Sequence, residues 1–378
     1  MPNHHALLSA SSSDRWIHCP PSVRLEEKYK DTESSYALEG TNAHELCEYL
    51  LHKALGDPTI RDPTEDLDYY DQEMQESAEG YRDAVMEIYE DMKKKGMDPA
   101  VFIEQQVDFS RYVPEGFGTS DCLLIGDDTM VVVDFKYGKG VEVHAEHNSQ
   151  LSCYALGAYL TFSSLYDIRN IMILIYQPRI GNYSKWELTT KELLTWADEV
   201  LKPAATLAFD GKGKYCAGNW CRFCKAKATC RARAKANLDL AKYDFADPPE
   251  LDDSEISAIL PQLDNLLAWG ADVKDYALQK ALTGTHFDGY KLVEGKSNRR
   301  YTDEDAVAAK VLSAGYDPYE KKLLGITAMT RELGKKTFND LLSGLIEKPQ
   351  GKPTLVPESD KRPALNTAKD DFSDEKEN

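Results

Sequence analysis

Apolar positions along the chain change from a helical to a strand period near residue 100. From about Tyr36 to Leu55, Leu46, Tyr49, Leu50 and Leu55 share one side of a helix. After Pro58 and Pro63, a strongly acidic helix is predicted over about Leu67 to Lys95, closed by Gly96. Val101 to Phe109, Thr119 to Ile125 and Thr129 to Tyr137 are then short and rich in β-branched and aromatic residues. Turn residues such as Gly126-Asp127-Asp128 part them, so the three segments read as a meander of strands. A helix from about Glu146 to Phe162 follows, then a very apolar strand from Ile171 to Tyr176 ending at Pro178, then a helix from Thr190 to Ala208. Ahead of all these, Ser11-Ser-Ser-Asp14 introduces a short helical turn that Pro20-Pro21 stops. The order α-β-β-β-α-β predicts an α/β fold, a mixed sheet core flanked by helices.

Beyond about residue 240 the pattern turns helical. Ile256, Ile259, Leu260, Leu263, Leu266 and Leu267 mark a helix between Asp252 and Leu282, with a kink or break expected at Pro261. The chain therefore divides into a mixed α/β domain over 1–240, a mainly helical C-terminal region over 241–347, and a tail over 348–378. Pro, Lys, Asp and Glu dominate that tail, and disorder is expected there.

Composition narrows the class. With 42% hydrophobic and 29% charged residues, the chain reads as a water-soluble globular protein. No apolar run reaches membrane-spanning length, and Met1-Pro-Asn-His-His lacks the start of a secretion signal, so a cytoplasmic location and no membrane partner are expected. A net charge of −19 argues against a protein that coats nucleic acid non-specifically. The charge is uneven, however. Between Asp62 and Asp91 the only basic residue is Arg82, whereas Gly211 to Leu238 holds no acid and eight basic residues, among them Lys225, Lys227, Arg231 and Arg233. A nucleic acid is expected to approach the second stretch, although a merely solvated basic helix has the same pattern. Lys296, Arg299 and Arg300 form a further basic patch. Gly295-Lys296-Ser297 is no phosphate-binding loop, because Tyr290 stands where the first glycine is required.

Several polar residues suggest a hard-cation site. Asp134 and Lys136, two apart on a strand, emerge on one face, while Val133, Phe135 and Tyr137 point to the other. A carboxylate there can hold Mg²⁺ or Mn²⁺, with the ammonium placed to orient or deprotonate an attacking water. By itself such a pair is commonly just solvent-facing. Asp121, on the preceding strand of the meander, adds a second carboxylate. His44, in Gly40-Thr-Asn-Ala-His44, would add an imidazole, which favours Mn²⁺ or Fe²⁺. Gln150 and Tyr154, four apart on one helix face, would hold a phosphate or base near the metal. Zinc hydrolysis through His144 and His147 lacks a third ligand at suitable spacing.

Cys221, Cys224 and Cys230 supply three thiolates within one segment, too few for a closed four-ligand site. Cys216 as the fourth would make a local zinc knuckle. Cys19 as the fourth would tie the two ends of the α/β domain around a [4Fe–4S] cluster. Cys47, Cys122 and Cys153 need no function beyond burial.

The run Gly40-x3-His44, Asp121, Asp134-x-Lys136 and Gln150-x3-Tyr154 resembles the RecB-like branch of the PD-(D/E)XK nuclease superfamily. Cys19-Pro20 and Cys221-x2-Cys224-x5-Cys230 resemble its iron–sulfur subset, which includes AddB and the CRISPR-adaptation exonucleases. Ser-rich-Arg-Trp-x2-Cys-Pro and Trp-Cys-Arg-Phe-Cys-Lys-Ala resemble a phage- and prophage-borne family of unassigned function. Covering about residues 7 to 235, the resemblance implies a restriction-endonuclease-like core and a metal-dependent deoxyribonuclease, an exonuclease acting on DNA ends or single strands. It implies His44, Asp121, Asp134 and the Phe135 carbonyl as metal ligands and Lys136 as the catalytic lysine. Gln150 and Tyr154 would engage DNA, and Cys19, Cys221, Cys224 and Cys230 would hold a structural [4Fe–4S] cluster. The implied setting is phage or prophage recombination or replication in a bacterial or phage-infected cell. Partners there would include a single-strand-binding or annealing protein or a helicase. A non-catalytic nucleic-acid-binding or scaffolding protein that keeps the fold is the rival expectation.

Overall fold

The computed structural model describes residues 6–29, 35–57, 59–239, 251–294, 301–319, 323–347 and 354–356. The predicted tail, apart from 354–356, and the patch at Lys296, Arg299 and Arg300 lie outside the described residues. Two compact units are present, Met1–Thr283 and Gly284–Asn378. Among the described residues no helix is long and apolar enough to cross a membrane.

The first unit is an α/β fold around one five-stranded mixed sheet, ordered β1-β2-β3-β4-β5. The strands are β1 (Ala100–Asp108), β2 (Phe117–Gly126), β3 (Thr129–Phe135), β4 (Asn170–Gln177) and β5 (Asn182–Thr189). The first three form the predicted meander, β3 pairs parallel with β4, and β4 pairs antiparallel with β5. Helix α5 (Ser149–Phe162), capped by the Asn148 side chain, crosses over between β3 and β4.

Each sheet face buries its own core, which follows from the strand alternation. Leu123, Ile125, Met130, Val132, Ile171 and Ile173 pack towards α1 (Ser13–His18), α2 (Ser22–Glu26), α5, α6 (Thr190–Trp196) and α7 (Lys202–Phe209). Cys122, Leu124, Val131, Val133 and Phe135 pack towards α3 (Ser35–Ala54) and α4 (Gln72–Lys94). Because both faces are covered, β3 reads as a continuous apolar run until Asp134 interrupts it. Helix α4 starts later than its sequence pattern suggests, because Asp71 accepts from the Met74 N–H and fixes the first turn there.

Strand β5 is absent from the sequence-based order. The first half of its inner face carries Asn182 and Ser184, and only Trp186 and Leu188 after them are apolar, so the hydrophobic alternation is too short to read as a strand. Those polar groups have a purpose. Asn182 donates to the Val143 carbonyl, and Ser184 accepts from the Ala145 N–H. Gln177 donates to the carbonyls of Gly138 and Val141. The β4–β5 pair thereby fastens the loop that joins Lys136 to α5.

Beyond α8 (Arg231–Leu238), helix α9 (Asp253–Leu282) runs through Pro261 as one element, without the expected break. It is tied to the cysteine segment by Asp272, which pairs with buried Arg233 and, at 2.8 Å, with Lys227. Asp272→Ala should destabilise the protein by about 3 kcal/mol, because it leaves a buried guanidinium unpaired. Arg233→Met should be much milder, and urea unfolding of the two variants distinguishes them.

The second unit contains α10 (Glu304–Ser313), α11 (Ile326–Leu333) and α12 (Lys335–Leu342), consistent with a mainly helical C-terminal region. Phe338 is buried within it.

Candidate active site

At the end of β3 the sheet brings together residues that are distant in sequence. The β2–β3 register pairs Cys122 with Val133, so Asp121 and Asp134 are the next pair along. The Phe135 N–H donates to Asp121 Oδ2 at 2.7 Å and fixes that carboxylate. Asp134 lies on the α5 side of the sheet with Val132, and Lys136 follows it. Lys136 Nζ is 3.3 Å from Asp134 Oδ1 and 3.1 Å from Oδ2. Only the first contact has hydrogen-bond direction, so Oδ2 is buried without a donor. An orphaned buried carboxylate oxygen is what a cation ligand looks like before its ion arrives.

His44 approaches from α3. Its Nδ1 is 3.5 Å from Asp121 Oδ1, and its ring meets the buried Phe135 edge-on at 5.5 Å. Burial opposes its charge, but the Asp121 carboxylate outweighs this and raises the imidazole to about 9. Burial and the neighbouring Asp121 charge push Asp134 up to about 6, with Lys136 acting the other way. Lys136 is itself raised, since Asp134 and Asp121 overcome its desolvation.

Glu104 is the residue that sequence reasoning missed. His44, Glu104 and Asp121 place one ligand atom each within 4.8 Å of one another. The β1–β2 register pairs Ile103 with Cys122 and Gln105 with Ser120, which sets Glu104 opposite Asp121. Burial and the Asp121 charge raise its carboxyl to about 7. Glu104 also has φ +47°, a strained value for a side chain of this size. There the strand reverses its alternation. Phe102 before it and Val107 after it both pack on the α5 side, although they are five positions apart. Hairpin register, rather than any local motif, is the signal that finds it.

Gln150 and Tyr154 sit on α5 as their spacing requires. Gln150 Oε1 accepts from Lys136 Nζ at 3.2 Å, and its amide donates to the Tyr154 hydroxyl at 3.2 Å. The pair therefore steadies the lysine. Tyr154 packs over Gly118, where an added Cβ would lie 2.7 Å from the ring. Gly118→Ala should push the ring aside, lowering the melting temperature and loosening Gln150 from Lys136. Thermal unfolding alongside a Tyr154→Phe control checks this, since that control keeps the ring and removes only the hydroxyl.

The cysteine segment gathers as well. Cys19, Cys216, Cys221, Cys224 and Cys230 line one small cavity, beside Arg15 and Arg233. Burial pushes the Cys19, Cys221 and Cys224 thiols up, Cys224 to about 12. Backbone hydrogen bonds act in the opposite direction at all three, from Cys216 and Ser22 to Cys19, from Gly218 to Cys221 and from Ala226 to Cys224. Such donors favour thiolates. Cys216 is exposed, and its N–H lies 3.4 Å from the Cys19 sulfur. Glu26 clasps the N-terminal segment to the rest, pairing with Arg15 at 2.8 Å and accepting from the Lys225 N–H at 2.7 Å. Cys47, Cys122 and Cys153 are buried elsewhere, as expected.

Of the four cations expected to meet phosphate, Lys227 and Arg233 are held by Asp272, and Arg233 is buried. Lys225 and Arg231 are exposed.

The profile of a family described as "Protein of unknown function (DUF2800)" matches residues 5–363. A solved structure entitled "Crystal structure of SSO0001" is similar over 61% of this chain and 89% of its own, with 13% identity and a TM-score of 0.28. That score is too low to bear on fold or function.

Proposed function

The chain belongs to the DUF2800 family, whose description assigns no function, and from the geometry of its own site we propose that it is a metal-dependent DNA nuclease. The carrying observation is the grouping of His44, Glu104 and Asp121 within 4.8 Å beside the C-terminal end of β3, where buried Asp134 Oδ2 has no directed donor and Lys136 stands next to it. Acids, imidazole and ammonium in that company suit a hard or borderline divalent cation.

Mg²⁺ or Mn²⁺ held there supplies Lewis-acid polarisation of a phosphoryl oxygen and a more acidic bound water. His44, Asp121 and Asp134 are the residues to hold it, with the Phe135 carbonyl, and Glu104 is a further ligand for the same centre. Lys136, beside Asp134, is placed to offset charge that builds on the phosphate and to orient or deprotonate the attacking water. Gln150 and Tyr154 hold that ammonium in place. The RecB-like resemblance of the same residues supports this reading, as does the acid-free stretch from Gly211 to Leu238.

We assign Cys19, Cys221, Cys224 and Cys230 to a structural [4Fe–4S] cluster. Cys19 and the Cys221–Cys230 trio line one cavity, and their resemblance to the iron–sulfur subset supports this assignment, with zinc the alternative. Cys216, exposed and donating its N–H to Cys19, is not needed as a ligand.

The test of the activity is cleavage of end-labelled single- and double-stranded DNA with Mn²⁺, Mg²⁺ or chelator. Metal-dependent shortening from an end supports the reading. Intact substrate under every metal condition overturns it and favours a non-catalytic DNA-binding protein.

A further inference from the structure

The cysteine segment carries aromatic and basic side chains that the metal centre does not use; Trp220 helps line the cysteine cavity, whereas Arg222 and Phe223 lie outside that lining. Phe223 is 71% exposed, although buried Cys221 and Cys224 hold its backbone in place. The Arg222 guanidinium stands 5.9 Å from the centre of that ring. Trp220 stacks flat on His18, with centroids 4.2 Å apart and planes 8° apart. The indole is fixed twice, by its N–H donating to the Cys216 carbonyl at 2.9 Å and by its seat on Gly218, where a Cβ would lie 2.5 Å from the ring. Rigid aromatic surface held in solvent beside a guanidinium is what unpaired bases stack on, because every base has a π-face.

Charge and position select the occupant. No acid occurs between Gly211 and Leu238, and two acids beside this segment are engaged, Asp14 by His18 and Glu26 by Arg15. Two contacts join the surface to the loops that flank the metal centre. Arg222 donates to the Gly140 carbonyl at 3.3 Å, four residues after Lys136. Ser13 at the start of α1 meets Ser149 at 2.6 Å, next to Gln150.

We infer that Phe223, Arg222 and the His18–Trp220 stack form a landing surface for the unpaired bases of a single-stranded DNA end, which they lead towards Asp134. The inference rests on the nuclease reading. A duplex keeps its bases stacked inside, so it gains nothing from Phe223.

The test uses the full chain carrying Asp134→Asn, with anisotropy of labelled oligothymidylate and of a blunt duplex across a salt series. Phe223→Ala should weaken oligothymidylate binding between about 5-fold and about 100-fold. Duplex binding, thermal unfolding and the salt slope should stay unchanged, and Phe223→Tyr should restore affinity. Arg222→Gln should lower the salt slope by about one. Unchanged oligothymidylate binding in Phe223→Ala, or an equal loss for both substrates, overturns the inference. If the chain lacking Asp134→Asn cleaves nothing with Mn²⁺ while Phe223→Ala still loses single-strand affinity, the landing surface stands and the nuclease reading falls. Cleavage together with binding indifferent to Phe223 has the reverse meaning.

Discussion

Asp134→Asn and Lys136→Ala should each reduce DNA cleavage by at least about 100-fold, the scale of losing one preorganised charge or a metal ligand at a reacting phosphate. The two losses have different origins. Asp134 is 2% exposed and its Oδ2, which has no directed hydrogen-bond donor, is offered to a cation, so its amide variant should bind Mn²⁺ poorly. Lys136 touches Asp134 and Gln150, so its removal should spare the cation and lose only charge stabilisation and water placement. Asp134→Asn should not fail by unfolding, whereas Lys136→Ala leaves a buried carboxylate without its cation, so its fold is checked by thermal unfolding alongside cleavage. Asp134 titrates near 6 in the fold, above its ordinary value, so its ionised form opposes folding. That penalty grows as pH rises from the ordinary carboxylate range through about 6 and is complete at neutral pH. The isosteric amide removes it, and without added metal the melting temperature should hold or rise. Cleavage at the wild-type rate by either variant would remove Asp134 and Lys136 from the chemistry.

Cys19→Ser should have the second large effect, on colour and on stability together. Cys19 lies 202 positions before Cys221, so a group shared between them closes a long loop of the chain. Ligation energy is then folding energy. Protein purified without oxygen should be brown, and Cys19→Ser should lose the colour and melt at least several degrees lower. Cys216→Ser should retain both properties, since only its backbone N–H reaches Cys19. Colourless protein with one zinc, released by Cys216→Ser and not by Cys19→Ser, would instead establish the local knuckle.

Much of this was legible in the sequence because burial writes itself into periodicity. The meander, α5 and β4 were each readable from runs such as Met130 to Val133 and Ile171 to Ile175, which the sheet buries on both faces. Strand β5 was not, because Asn182 and Ser184 on its inner face serve loop hydrogen bonds rather than a core. Asp121, Asp134 and Lys136 stood out as polar interruptions of apolar strands. Glu104 did not, since one glutamate beside Gln105 and Gln106 looks like solvated strand until register places it opposite Asp121. The basic stretch misled in detail for a similar reason. Arg233 meets Asp272 across 39 positions, and no local pattern announces such a pairing.

The most direct test follows Mn²⁺ binding by calorimetry and cleavage of end-labelled DNA on the same preparations of wild type, Asp134→Asn and Lys136→Ala. A single metal-and-lysine site predicts that wild type binds Mn²⁺ and cleaves, Lys136→Ala binds and does not cleave, and Asp134→Asn does neither. Undiminished Mn²⁺ binding in Asp134→Asn, or cleavage that survives in Lys136→Ala, would contradict it.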